Sequence, residues 1–325
     1  VIEAAIAAAR DWPWGAPEPP AFALAARAVA ELHLAAAEEF LREVGLARKD
    51  IDFVGAHGQT VLHQPPTVAR PIGRTVQLLD ADHLARGLDL PVAHDFRAAD
   101  MAAGGQGAPL APVYHRALAA WSKMNPPVAV LNLGGVGNIT LIGEDGALTA
   151  FDTGPANGMI DLWVQARTAN RRDEDGALAR AGTVDEEILA DYLDHAHFAM
   201  AGPKSLDRFE FSLEPIAGLS LEDGAATLTA FAAEAVARGV LACSPAPRRV
   251  IVCGGGRQNP TLMHAIRKRL ALPVSTAETV GWRGDSIEAE AFAFLAARTF
   301  TGLPITYPDC TGVREPMPGG RIARP

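Results

Sequence analysis

The run Val128-Ala129-Val130-Leu131-Asn132-Leu133, followed by Gly134-Gly135 and then Val136 to Ile142, constrains the fold of this chain more than any other stretch. A six-residue run that is almost wholly apolar predicts a strand buried on both faces, as in a sheet covered by helices on each side. The diglycine turns it into a second strand, Asn138-Ile139-Thr140-Leu141-Ile142. Paired glycines at such a turn have two readings. They supply the positive φ of a tight hairpin, or they clear side chains so that backbone N–H groups can approach phosphate oxygens. A related case follows Arg249-Val250-Ile251-Val252-Cys253, where a buried strand delivers Gly254-Gly255-Gly256 toward a helix from Pro260 to Leu270.

Elsewhere strands alternate with helices, which predicts an α/β protein with a largely parallel sheet. Residues 1–46 are alanine-rich and helical, interrupted at Glu18-Pro19-Pro20. In the second of these helices Phe22, Leu24, Ala28, Leu32, Ala35, Phe40, Leu41 and Leu46 recur at roughly helical spacing. Asn125-Pro126-Pro127 is the expected domain boundary, because two prolines cannot continue a helix. The expected domains are 1–127 and 128–325, the last twenty or so residues packing back on the first, with ligands in the cleft between the two. The chain opens Val1-Ile2-Glu3, without Met and directly in a helical pattern, so upstream residues are expected to be missing.

Hydrophobic residues at 49% and charged residues at 21% exclude wholesale disorder. A net charge of -9 with no basic run argues against nucleic acid or an anionic membrane as partner. The hydropathy pattern suggests neither a membrane span nor a signal peptide. Cys243, Cys253 and Cys310 are widely spaced and odd in number, which suits a reducing cytoplasm better than disulfides or zinc.

Phe151-Asp152-Thr153-Gly154-Pro155 displays an aspartate at a strand end on a stiff loop, a position suited to a general base and equally to a capping turn. His57-Gly58-Gln59-Thr60, Asp95-Phe96-Arg97, Asp100 and Gly104-Gly105-Gln106-Gly107-Ala108-Pro109 all follow predicted strands or lie in loops. Gln59, Arg97 and Gln106 are suited to sugar hydroxyls and a carboxylate, the arginine by bidentate pairing. His57 and His63 have no convincing third metal ligand, and no metal-ligating set is expected. Asp285 reads as an N-cap and Glu288 as its capping-box acid. The loop at Lys204 lacks the spacing of a Walker loop, and no Rossmann glycine fingerprint, protein-kinase signature or nucleophile elbow occurs.

Taken in order, GAHGQTVLHQP (55–65), HDFRAADMAAGGQGAPLAP (94–112), LNLGGVGNIT (131–140), FDTGPANGMIDLW (151–163), PKS (203–205), CGGGRQNPTLM (253–263) and GDSIEAEAFAFLA (284–296) resemble the anhydro-N-acetylmuramic acid kinase family, of the actin/hexokinase/Hsp70-like ATPase superfamily. The resemblance implies a two-domain actin/hexokinase-like (ribonuclease H-like) fold with an interdomain cleft. It also implies an ATP- and Mg2+-dependent phosphotransferase that opens 1,6-anhydro-N-acetylmuramic acid with water and phosphorylates O6, in cell-wall recycling. Asp152 would be the base that deprotonates the water. Arg97 and Glu288 would contact the amino sugar, with Gln59, Gln106 and Asn157 as further contacts. Gly134, Gly135, Gly254, Gly255 and Gly256 would line the nucleotide. A homodimer is compatible with the resemblance.

Two departures stand out. The family's opening strand and M-S-G-T-S-x-D-G turn have no counterpart here, so the first domain is expected to be truncated at its N-terminus. Ala156 replaces the glycine of D-T-G-P-G-N, a change expected to be harmless if its φ is negative. Three alternatives remain: a non-catalytic sugar or nucleotide sensor, another sugar kinase of the superfamily, and a glycoside hydrolase pairing Asp152 with Glu288.

Overall fold

The computed structural model describes residues 1–67, 70–200, 202–206 and 210–325. Its strands are β1 (Val54–Gly55), β2 (Gln59–Gln64), β3 (Arg74–Leu78), β4 (Val92–His94), β5 (Val128–Leu133), β6 (Val136–Ile142), β7 (Leu148–Pro155), β8 (Val250–Cys253), β9 (Val274–Thr276) and β10 (Arg321–Ala323). Five of them form one sheet in the order β7-β6-β5-β8-β9. In it β5, β6 and β7 are an antiparallel meander, and β8 and β9 run parallel to β5. A meander extended from its first strand by two parallel strands, reached through helical crossovers, is the ribonuclease H-like arrangement.

The sequence explains why β5 sits at the centre. Every residue of it except Asn132 is buried. Leu131 and Leu133 share a core with Ala232, Ala233, Val236 and Val240 of the helix Leu221–Leu241. That helix is rich in alanine and glycine, which lets it lie close to the sheet. A Cβ on Gly239 would come within 2.5 Å of Thr153 on β7, and one on Gly224 would enter the Trp163 ring. Burial of large side chains at about 1.5–3 kcal/mol each makes this layer the stable platform of its unit.

The chain divides into two units, Val1–Tyr114 with Glu288–Pro325, and His115–Ile287. The first break therefore precedes Asn125-Pro126-Pro127, the expected boundary. The reason is local: His115 Nδ1 lies 2.9 Å from the Thr140 hydroxyl on β6, and Trp282 Nε1 donates to the Ser122 hydroxyl at 2.7 Å. The return to the first unit begins at Glu288, earlier than the last twenty residues. Phe292 of the helix Ile287–Phe300 packs on His57 and Phe96, and β10 pairs antiparallel with β4, which is itself parallel to β1.

The helix Pro20–Val44 differs from its sequence reading in two respects. By length and composition it is apolar enough to cross a membrane, which the hydropathy reading did not single out. Its apolar spacing also mispredicts the inner face. Phe22, Ala25, Val29 and Ala30 are buried, whereas Leu24, Leu32 and Phe40 are exposed. Phe22, Ala25 and Val29 share a core with Ala5, Ala9, Leu62 and Leu78, while Ala30 packs with Leu84, Ala85 and Leu88.

Candidate active site

Asp152 stands near the end of β7, in a register irregularity against β6. Gly137 pairs with Gly154 and Asn138 with Asp152, which leaves Thr153 as the extra residue of a bulge. Bulges re-aim neighbouring side chains. This one is fastened by the Thr153 hydroxyl, which donates to the Gly137 carbonyl at 3.1 Å. The Asp152 backbone N–H donates to the Lys204 carbonyl at 2.9 Å, and its Oδ2 accepts the Leu206 N–H at 2.8 Å. Burial pushes the carboxyl up to about 6, against the Leu206 N–H and the Lys204 charge, which both pull it down. It is thus ionised at neutral pH, yet basic enough to take a proton.

The five glycines differ in what holds them. Gly254 has φ +76, and a Cβ there would lie 2.6 Å from the Leu133 carbonyl. Gly256 would drive a Cβ to 2.6 Å from Leu133 Cβ. The fold itself requires these two. Gly134, Gly135 and Gly255 have no positive φ, so although the diglycine joins β5 to β6 in a short hairpin, that turn does not demand glycine for its φ. A Cβ would approach nothing nearer than 3.4 Å at Gly134, 3.9 Å at Gly135 or 3.8 Å at Gly255. Among the described residues the N–H groups of Gly134 and Gly135 have no acceptor, while their carbonyls take the N–H groups of Asn157 and Ala156.

Asn157 joins the two turns. Its side-chain amide donates to the Leu133 carbonyl at 3.1 Å, and a Cβ on Gly256 would meet it. Ala156 has φ -123, so alanine is accommodated there without left-handed strain. Beside the turns lies a cavity of about 180 Å³ lined by Asn157, Asp161, Arg172, Asp173, Gly255 and Gln258, among others.

In the first unit Arg97 is half-buried. Its Nε donates to His57 Nε2 at 2.9 Å and one terminal nitrogen donates to the Gly107 carbonyl at 2.7 Å. Burial lowers its pKa to about 10, opposed by the charges of Glu288 and Asp100. His57 is held neutral, at about 4, first by burial and then by the Arg97 charge. Glu288 is exposed in the first turn of its helix. Gln106 donates its backbone N–H to Thr311 at 2.7 Å, and Gln59 is exposed at the start of β2. Arg97, Glu288, His57 and Gln106 therefore belong to one unit, and Asp152, Asn157 and all five glycines to the other. No group of three His, Cys, Asp or Glu side chains suited to a metal occurs among the described residues.

Three residues have supporting contacts that the sequence reading did not foresee. Arg257 is buried and binds Glu278 and Asp285 at 2.8 and 2.7 Å and the Gly254 carbonyl at 3.0 Å, bracing the glycine turn. Asp285 is thus drawn to Arg257 rather than serving as the predicted cap, and the helix begins at Ile287. Asp100 is buried and accepts the Gly107 N–H and the Thr311 hydroxyl, both at 2.6 Å. Lys204, dismissed for want of a Walker pattern, lies behind the Asp152 carboxylate. Arg257 and Asp100 lie within the singled-out motifs, but Glu278, Asp285 and Thr311, which they bind, are distant in sequence and gave no local signal.

The geometry defines a class first: an α/β protein whose ribonuclease H-like sheet carries a buried carboxylate of raised pKa beside glycine turns that the fold only partly explains. The family model described as anhydro-N-acetylmuramic acid kinase matches residues 20–324. A protein of that name from Caulobacter vibrioides is 61% identical over 97% of this chain and 84% of its own length. Another, from Phenylobacterium zucineum, is 57% identical over 100% of this chain and 88% of its own. A ROK family protein from Streptococcus pneumoniae, solved in complex with sucrose, aligns with 83% of this chain and 87% of its own at 14% identity and a TM-score of 0.35, too slight a likeness to bear on the reading. The chain belongs to the anhydro-N-acetylmuramic acid kinase family.

Proposed function

We propose that this chain uses ATP to open 1,6-anhydro-N-acetylmuramic acid and phosphorylate it at O6, giving N-acetylmuramic acid 6-phosphate. Asp152 takes a proton from water as the water attacks the anomeric carbon. The C1–O6 bond breaks, and O6 leaves with its electron pair and accepts the γ-phosphoryl group. The base is the carboxylate form, so the step proceeds above the Asp152 pKa of about 6. A base so placed contributes roughly 10²–10⁴-fold.

The observation that carries the nucleotide half is the glycine pattern. Gly134, Gly135 and Gly255 lack a steric or conformational reason to be glycine, and the N–H groups of the first two are unused among the described residues. Backbone that must admit an anion supplies the missing reason. The neighbouring cavity, with Asp161 and Gln258, suits the nucleoside end. Mg2+ would neutralise phosphate charge, as in other phosphoryl transfers. On the sugar side Arg97 pairs with the lactyl carboxylate. Glu288, Gln59 and Gln106 address hydroxyl and amide groups.

Asp152→Asn tests the assignment. Turnover should fall about 10²–10⁴-fold with ATP affinity within twofold of the parent. Near-normal turnover in that variant removes Asp152 from the role of base.

A further inference from the structure

Asp152 is gripped from one side by a single stretch of chain. His197 Nε2 lies 3.0 Å from the Asp152 carbonyl, so that nitrogen carries the proton and donates. The Lys204 carbonyl takes the Asp152 N–H, and the Leu206 N–H binds Oδ2. The backbone donor, the backbone acceptor and one carboxylate oxygen are thus all held by residues 197–206. Among the described residues Oδ1 receives no hydrogen bond and remains the oxygen able to accept from water.

Lys204 closes this grip on itself. Its Nζ donates to the His197 carbonyl at 2.8 Å and to the Met200 carbonyl at 3.1 Å. It thereby ties the short helix Ala196–Ala199, and with it the His197 ring, to Lys204, whose carbonyl binds the Asp152 N–H. The other titratable groups on this side are His197, His195 with Glu210 at 3.8 Å, and Arg238, whose guanidinium lies over Phe198. Burial and the nearby Lys204 charge keep His197 neutral. Among the described residues Lys204 is the one cation whose charge acts on Asp152.

We propose that Lys204 is a positioning residue for the hydrolytic half of the reaction: it fixes His197, its own backbone and Leu206 around Asp152 and sets a positive charge on that side of the carboxylate, with Oδ1 presented to water. The inference rests on Asp152 being the base. A surface lysine with only a structural role would tether the loop without moving the titration of Asp152.

The test compares Lys204→Met, Lys204→Gln and Lys204→Arg with the parent in the full chain. The Asp152 carboxyl is titrated by carbon-13 NMR without turnover, with assignment by Asp152→Asn. Lys204→Met and Lys204→Gln should each move the midpoint upward by about one pH unit, and Lys204→Arg should stay within about 0.3 unit of the parent. The acidic limb of kcat/KM should move with the NMR midpoint. Gln retains a donor for the carbonyls, so it separates charge from tether and serves if the Met variant folds poorly. An unmoved midpoint in the Gln variant overturns the proposal, as does an Arg variant that shifts as far as Gln. Because the NMR midpoint needs no turnover, absence of kinase activity in the parent would count against the proposed function alone.

Discussion

Burial of the Asp152 carboxylate costs the folded protein stability, and Asp152→Asn should recover it. The carboxyl stands at about 6 in the fold against an ordinary 3.8, mainly through burial. A shift of about two units corresponds to roughly 2–3 kcal/mol against the charged form. The sign follows from proton counting. Between pH 4 and 6 the folded chain holds more protons at this site than the unfolded chain, so the contribution of Asp152 to stability falls as pH rises through that window. Above it the full cost applies. Asparagine carries no charge, and its carbonyl oxygen can still accept the Leu206 N–H. Urea unfolding at pH 7 should therefore show Asp152→Asn more stable than the parent by about 1–3 kcal/mol, with the gain disappearing near pH 4. An equal or lower stability at pH 7, or a gain of the same size at pH 4, would refute the reasoning.

The glycines separate fold from function: Gly135→Ala should leave the melting temperature within about 2 °C and raise the KM for ATP roughly tenfold or more, whereas Gly254→Ala should cost about 1–3 kcal/mol of stability because its φ is +76. Arg97→Ala should weaken sugar binding roughly tenfold to a hundredfold, read by calorimetry, with ATP binding unchanged. His115, fully buried and held at about 4, makes the fold lose stability as pH falls from 6.5 toward 4, since the unfolded chain then binds the extra proton. His115→Asn should flatten that acid-side loss in thermal melts.

Patterns set by burial were readable in the chain alone. The apolar run 128–133 predicted a strand covered on both faces, and β5 is that strand. The alternation of strands and helices predicted a largely parallel sheet, whereas β5, β6 and β7 form an antiparallel meander and only β8 and β9 run parallel to β5. Long-range contacts were not readable. The unit boundary lies at Tyr114 because His115 reaches Thr140, a pairing without local trace. The helix Pro20–Val44 misled because Ala25, Val29 and Ala30, not Leu24 and Leu32, make its inner contact. At the site, Asp152 and the glycine turns announced themselves by type and spacing. Lys204 did not, since its contacts bring a segment far from Asp152 in sequence back onto β7. The diglycine was misjudged in its backbone, having ordinary φ and little steric need for glycine.

One isotope experiment reaches the central claim, that Asp152 takes a proton from the attacking water while O6 receives the phosphoryl group. Turnover in oxygen-18 water, followed by mass spectrometry of the product before anomeric exchange, locates the solvent oxygen. The account predicts one heavy oxygen at the anomeric carbon, none in the transferred phosphoryl group, and loss of the labelled product in Asp152→Asn. Label in the phosphate, or phosphorylated sugar with an unlabelled anomeric oxygen, would contradict it.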